Sequence, residues 1–246
     1  MSPAAPQHIL GARTAAWSAA GLTALFAVAT VLVGAGWSPL LRLDDAVARW
    51  AYQATAGNEA WLAWWIAVDR VTEPILLRIL LVGIGLVLAW RRRWALAGWL
   101  VAVTVVQNLV AGVVKHILDR PRPRWPAPLA LEDSTSFPAG HSAGVALFAT
   151  AVILVALATA GSRGRRWSVA VTAVAAAVVV SLDRIYLGLH YVSDVVAGIL
   201  LGVAVPLAGW AVMVGILRAR ARRTGEPWHE ADDQLDALEG DVRLRR

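Results

Sequence analysis

Apolar stretches of bilayer-spanning length recur about six times along this chain, at residues 16–36, 75–90, 94–118, 141–160, 167–182 and 191–217. A hydrocarbon layer of about 30 Å asks for roughly 20 residues of helix at 1.5 Å rise per residue. Backbone N–H and C=O groups in lipid must pair internally, which leaves helices or a closed barrel. The stretches lack the two-residue alternation of barrel strands, and the loops between the later ones are short. The predicted fold is all-α, an integral membrane bundle of about six transmembrane helices. A composition of 58% hydrophobic residues and a mean hydropathy of +0.59 agree with that class.

Arg13 before the first stretch, and Ala27–Val28–Ala29 within it, imitate a cleaved leader. The run continues through Val31, Leu32 and Val33, longer than a leader core, and reads as a retained span. After it, Leu43, Ala46, Val47, Trp50, Ala51 and Ala54 recur at helical spacing with Asp44, Asp45 and Arg49 between them. That pattern predicts an amphipathic helix in the membrane interface. Trp61, Trp64 and Trp65 read as headgroup anchors in the next turn, and Thr72–Glu73–Pro74 as an N-cap with a first-turn proline. Trp17, Trp37, Trp90, Trp94 and Trp167 flank spans as an aromatic belt does. Gly198, Gly202 and Gly209 give the last span a small-residue face suited to close packing. The expected layout is a short mobile N-terminus (residues 1–14), a six-span domain (15–217) and a polar tail (218–246).

The net charge of +6 is distributed as a topology signal. Arg91, Arg92 and Arg93, then Arg163, Arg165 and Arg166, then Arg218, Arg220, Arg222 and Arg223 fall at alternate span ends, on one side with Arg13. On the other side, Arg42, Arg49, Arg70, Arg78, Arg120, Arg124, Lys115, Arg122 and Arg184 are diluted by Asp44, Asp45, Glu59, Asp69 and Glu73. Positive charge at span ends marks the cytoplasmic face. Both termini are then cytoplasmic, and nucleic acid is not an expected partner. The absence of cysteine excludes disulfides and thiolate metal sites.

Ionisable residues at the mouths of the spans stand out, because charge at membrane depth is costly and marks function. Lys115 lies near the end of the third stretch, followed by Asp119–Arg120–Pro121–Arg122–Pro123. Two prolines stop the helix, so Arg122 can fold back toward Lys115. Both cations also fit a role as snorkelling side chains. Arg120 and Arg124 read as solvated or headgroup contacts, and His116, one step round the helix from Lys115, as a packing residue.

Pro138–Ala139–Gly140–His141 opens the fourth stretch. A helix start presents unpaired N–H groups and partial positive charge to an anion, and Gly140 allows close backbone approach. His141 beside such an anion is placed to protonate a leaving oxygen. In the third segment, His190 and Asp194 are four apart and share a helical face if the last span has begun by His190. Asp194 is placed to take the Nδ1 proton of His190 and leave Nε2 free to attack, while Arg184 offers a planar fork to phosphate. A structural hydrogen bond or a metal site with His141 are the other readings of the pair. Lys115, Arg122 and Arg184 repel a divalent cation and complement a phosphate.

Together the three segments resemble the type 2 phosphatidic acid phosphatase superfamily, whose signature is Lys-x6-Arg-Pro, Pro-Ser-Gly-His and Ser-Arg-x5-His-x3-Asp. Here these stand as Lys115 to Arg122–Pro123, Pro138–Ala139–Gly140–His141, and Asp183–Arg184 to His190 to Asp194. The resemblance implies hydrolysis of phosphoesters without metal or cofactor, through a phosphohistidine. It makes His190 the nucleophile, Asp194 its orienter and His141 the general acid. Lys115, Arg122, Arg184 and the Gly140 backbone would hold the phosphoryl oxygens. Two positions depart from the pattern. Ala139 loses a hydroxyl while keeping its N–H, and Asp183 either orients Arg184 or weakens phosphate affinity.

The expected protein is a lipid phosphatase at the outer face of a bacterial cytoplasmic membrane. Its partners are the bilayer and a lipid phosphate: a polyprenyl diphosphate, phosphatidate or phosphatidylglycerol phosphate. A phosphotransferase with an acceptor other than water, or an inactive lipid-phosphate binder, are the alternatives. A transporter would carry its charges near mid-membrane, not at span ends.

Overall fold

The computed structural model describes residues 10–72, 74–159 and 162–224. Eight helices follow one another: α1 (Ala12–Gly34), α2 (Ser38–Ala56), α3 (Glu59–Val71), α4 (Pro74–Trp90), α5 (Trp94–Leu118), α6 (Gly140–Thr159), α7 (Arg163–Tyr186) and α8 (Val192–Thr224). No strand occurs among the described residues, so the all-α expectation holds. Five helices, α1 and α5 to α8, are long and apolar enough to cross a membrane. The expected second span is α4, whose 17 residues rise about 26 Å, slightly short of a full crossing. The parts of the expected terminal regions at residues 1–9 and 225–246 lie outside the described residues.

Local chemistry sets the helix ends. Asn58 accepts from Trp61 N at 3.0 Å and starts α3, and Ser162 accepts from Arg165 N at 3.3 Å and starts α7. α5 stops where Asp119 turns left-handed (φ 40°, ψ 40°) ahead of Pro121 and Pro123. Thr72 is the C-cap of α3, its hydroxyl donating to Val68 O at 2.7 Å, and not the predicted N-cap. Pro74 does open α4, as expected, and Glu73 lies outside the described residues.

α8 is the central helix and packs most extensively on α1 and α6. Its glycines explain how closely: a Cβ at Gly198 would meet Ala139 O at 2.5 Å, and one at Gly202 the Ala146 Cβ at 2.6 Å. A side chain there would push α6 away, and close backbone approach is what binds helices where apolar transfer gives no net drive. Around α8, Trp210 packs edge-on against Trp99 of α5 within a core that includes Leu96, Leu100 and Leu147. Phe137, from the α5–α6 loop, is inserted between Phe26 of α1 and Ala197 and Leu201 of α8. That insertion ties the loop to the bundle.

α2 is turned differently from the predicted amphipathic helix. Asp44, Ala48, Ala51 and Thr55 face inward and are buried, whereas Leu43 and Trp50 are exposed. In lipid the apolar stripe faces out and the polar group seeks protein partners, the inverse of the rule in water. Trp65 is likewise no headgroup anchor: it is buried and stacked on Tyr186 at 4.9 Å, while Trp64 is exposed. Trp17, Trp37, Trp90, Trp94 and Trp167 are all exposed at or near helix ends.

Candidate active site

One end of the bundle gathers the C-termini of α5 and α7, the N-termini of α6 and α8, and the long loop of residues 119–139. Each predicted motif lies at one of these junctions. The turn between α7 and α8 passes through Gly188 at φ +68°, a backbone region that favours glycine. The indole of Trp125 lies against Gly188 and donates to its carbonyl at 2.9 Å, pinning the loop to the turn that carries His190.

His190 is fully buried. Its Nε2 stands 2.9 Å from Nη1 of Arg122, and its Nδ1 lies 3.6 Å from Oδ2 of Asp194. A guanidinium only donates, so Nε2 must present its lone pair and the ring proton must sit on Nδ1. Burial first, and the charge of Arg122 second, push the His190 pKa below the ordinary imidazole value, although Asp194 pulls the other way. Neutral imidazole with a free Nε2 lone pair is the nucleophilic form.

The link from Nδ1 to Asp194 differs from the direct one expected. Ser136 Oγ donates to Asp194 Oδ2 at 2.5 Å and lies 3.4 Å from His190 Nδ1. The hydroxyl therefore stands beside the histidine–aspartate contact and touches both partners. The same Oδ2 accepts the Tyr191 N–H at 2.9 Å, and Oδ1 accepts from Arg120 Nη1 at 2.5 Å. Asp194 is held from all sides.

The predicted phosphate-holding cations converge, though each already has partners. Lys115 Nζ donates to the Thr135 carbonyl. Arg122 donates to Ser134 O at 2.6 Å and Leu189 O at 2.8 Å, and pairs with Glu132 at 3.0 Å. Arg184 is buried and gripped by two carboxylates, its neighbour Asp183 and Asp69 of α3. Of the two consequences weighed for Asp183, pairing with Arg184 is the one observed. His141 is the second residue of α6, at the same bundle end, and is half-buried. Gly140 opens α6 and a Cβ there would meet open space, so the helix start is accessible. The Ala139 N–H, which the substitution keeps, donates to Asp194 O at 3.0 Å. Ala139 itself is buried against Ala51, Ile185 and Val195.

Three further residues belong to the site. Glu132 pairs with Arg122, and its Oε2 is buried without a hydrogen-bond partner, 3.8 Å from His190 Nε2. Burial works against its charge, but Arg122, His190, His141 and Arg184 outweigh that and hold its pKa below the usual carboxylate value. The carboxylate thus lies between Arg122 and the Nε2 side of His190. Arg120, expected to be solvated, is buried between Asp44 and Asp194. The tandem Arg-Pro spacing was its only signal, and a neighbouring arginine in the same run, Arg124, is indeed exposed. Asp44 had no signal, because its partners lie 76 and 149 residues away. His116 is exposed and points away from the site, not into packing.

Fold and site together define a multi-pass helical membrane protein with a histidine and a set of cations converging at one end. The PAP2 superfamily model matches residues 96–218, half of the chain, which includes all three motifs. The chain belongs to the PAP2 superfamily. It is 36% identical over 127 residues to phosphatidylglycerophosphatase B of Bacillus subtilis, covering 50% of this chain and 60% of that protein. It is 34% identical over 135 residues to decaprenylphosphoryl-5-phosphoribose phosphatase of Mycobacterium tuberculosis, covering 54% and 68%. The match thus spans less than two thirds of the Bacillus relative. Among solved structures, the first transmembrane PAP2 type phosphatidylglycerolphosphate phosphatase from Bacillus subtilis shares the fold. Its TM-score is 0.70 at 23% identity, over 82% of this chain and 97% of that one.

Proposed function

We propose that this protein is a membrane lipid phosphatase that removes a terminal phosphate by way of a phosphohistidine at His190. The observation that carries the reading is the 2.9 Å approach of Arg122 to His190 Nε2, which puts a phosphate-binding cation beside a nucleophilic lone pair. In the first step Nε2 bonds to phosphorus, the bond from phosphorus to the lipid oxygen breaks, and His141 gives that oxygen a proton. Water then attacks phosphorus, His141 takes its proton, the N–P bond breaks and inorganic phosphate leaves. Asp194, with Ser136, holds the Nδ1 proton while the ring carries positive charge. Phosphoryl transfer needs positioning and charge stabilisation above all, which Lys115, Arg122, Arg184 and the α6 start are suited to supply without a metal.

The substrate class rests on place and on relatives. A lipid phosphate sits where the bundle end meets the headgroups, and the relatives' names specify phosphatidylglycerophosphate and a decaprenylphosphoryl phosphoribose. Both are anionic lipids with a terminal phosphate, so phosphatidylglycerol phosphate and polyprenyl-linked phosphates are the first substrates to test. The arginines of residues 91–93 and 163–166 lie at the bundle end opposite the site. By the positive-inside rule that end is cytoplasmic and the site faces outward.

The test is release of inorganic phosphate by detergent-solubilised protein, with EDTA present, from a panel of phosphatidate, phosphatidylglycerol phosphate and polyprenyl diphosphate. Turnover of at least one in EDTA is expected. Failure on all three, or strict dependence on added divalent cation, contradicts the proposal.

A further inference from the structure

The geometry points to Asp44 and Arg120 as positioning residues that set the net charge Asp194 presents to His190. Arg120 bridges two buried carboxylates, Asp194 at 2.5 Å through Nη1 and Asp44 at 2.8 Å through Nη2. Its guanidinium also lies 4.3 Å over the ring of Tyr191. Asp44 is fully buried on α2 and accepts from Ser193 N at 2.9 Å and from Ser193 Oγ at 2.5 Å. Ser193 Oγ in turn lies 2.7 Å from Arg120 Nη1. A chain of four groups therefore runs from the interfacial helix α2 to the aspartate behind the nucleophile.

The charge count says what the chain does. Arg120 alone would cancel Asp194, leaving His190 with a neutral pair behind it. Asp44 cancels Arg120, so Asp44, Arg120 and Asp194 together carry one negative charge. That charge matters only when the imidazole becomes positive, that is, once Nε2 has bonded to phosphorus. The other groups facing the ring are Arg122 at 2.9 Å, Glu132 at 3.8 Å and the neutral Ser136. Of these Arg122 opposes ring charge, so a net negative partner on the Nδ1 side is needed. Burial first opposes the charge of Arg120, but Asp194 and Asp44 outweigh it and raise its pKa, so the cation persists at any working pH.

This inference rests on the phosphatase reading, and its test separates the two. Asp44→Asn, Arg120→Gln and the double variant are compared with wild type on dioctanoyl phosphatidate in detergent micelles. Binding of inorganic phosphate and of orthovanadate is measured alongside. Orthovanadate expands to five-coordination on a ring nitrogen, whereas inorganic phosphate binds without a new bond. Asp44→Asn should lose about tenfold or more in kcat and in orthovanadate affinity, with KM and phosphate affinity within about twofold. The double variant restores one net negative charge and should recover at least about fivefold over Asp44→Asn.

Losses that simply add in the double variant overturn the inference. So does a fall in phosphate affinity that matches the fall in orthovanadate affinity. Where Asp44→Asn does not accumulate as folded protein, Arg120→Lys decides. It keeps the charge and should stay within about threefold of wild type, while Arg120→Gln, which leaves two negative charges behind the ring, should bind orthovanadate about tenfold more tightly. An equal loss in both contradicts the charge argument. A wild type that hydrolyses no lipid phosphate defeats the phosphatase reading, and the orthovanadate comparison then still decides this one.

Discussion

Arg122 Nη1 stands 2.9 Å from Nε2 of His190, so the side chain proposed to hold the phosphoryl group also dictates which ring nitrogen carries the lone pair. A lysine cannot do both, because its single point charge lacks the fork that also reaches Ser134 O, Leu189 O and Glu132. Arg122→Lys is expected to lower kcat/KM by about 100-fold, the scale of losing one donor to a developing oxyanion. Steady-state hydrolysis checks it. A loss below about threefold would show that Arg122 does not touch the phosphoryl group.

Ser136 lies between His190 Nδ1 and Asp194 Oδ2, 3.4 Å from one and 2.5 Å from the other. Ser136→Ala should lower kcat by about three- to tenfold with little change in KM, since it loosens the orienter of the nucleophile and leaves the phosphate ligands in place. A change confined to KM would place the hydroxyl on the substrate instead.

Glu132 presents an unpaired Oε2 toward His190 and must leave its place for a phosphate to enter. Glu132→Gln removes that competing charge. Affinity for inorganic phosphate as a product inhibitor should rise by about tenfold, the effect of removing one like charge at close range in a partly buried site. Isothermal titration with phosphate reads it directly, and unchanged affinity would mean that the carboxylate swings clear of the pocket in solution.

The rate should depend on pH with its acid limb set by His190. Protonation removes the Nε2 lone pair, so the rate rises as pH increases through the His190 pKa. Burial and Arg122 lower that pKa, hence the limb falls below the ordinary imidazole value of about 6.5. The negative charge of a bound phosphate favours protonated His141 in the substrate complex, and loss of that proton supplies the falling limb of a bell. A flat profile, or an acid limb above the ordinary imidazole value, would contradict the assignment of the nucleophile.

The helical membrane class and the three motifs were legible because they rest on local rules: span length, prolines that end α5, and fixed spacing within each motif. His190 precedes α8, so a shared helical face does not account for its contact with Asp194. What escaped was set by distant contacts. Asp44 looked like the polar face of an amphipathic helix, and only its partners Arg120 and Ser193 explain why it points inward. Arg120 looked solvated because its partners Asp44 and Asp194 lie far from it in sequence. Trp65 looked like an interface anchor until Tyr186 supplied a stacking surface. Glu132 sits in a loop without periodicity, where no spacing rule applies. For Asp44, Arg120 and Trp65 the residue type was read correctly as polar or aromatic, and its direction was not.

The central claim is a covalent phosphoryl group on His190, and trapping that intermediate tests it most directly. Wild type and His190→Ala would be mixed with a lipid carrying a radiolabelled terminal phosphate, quenched in alkali, where phosphoramidates survive, and digested for peptide mapping. Label on the peptide containing His190 in wild type, with neither label nor turnover in His190→Ala, is the predicted result. Turnover that persists in His190→Ala, or label on a different residue, would contradict it.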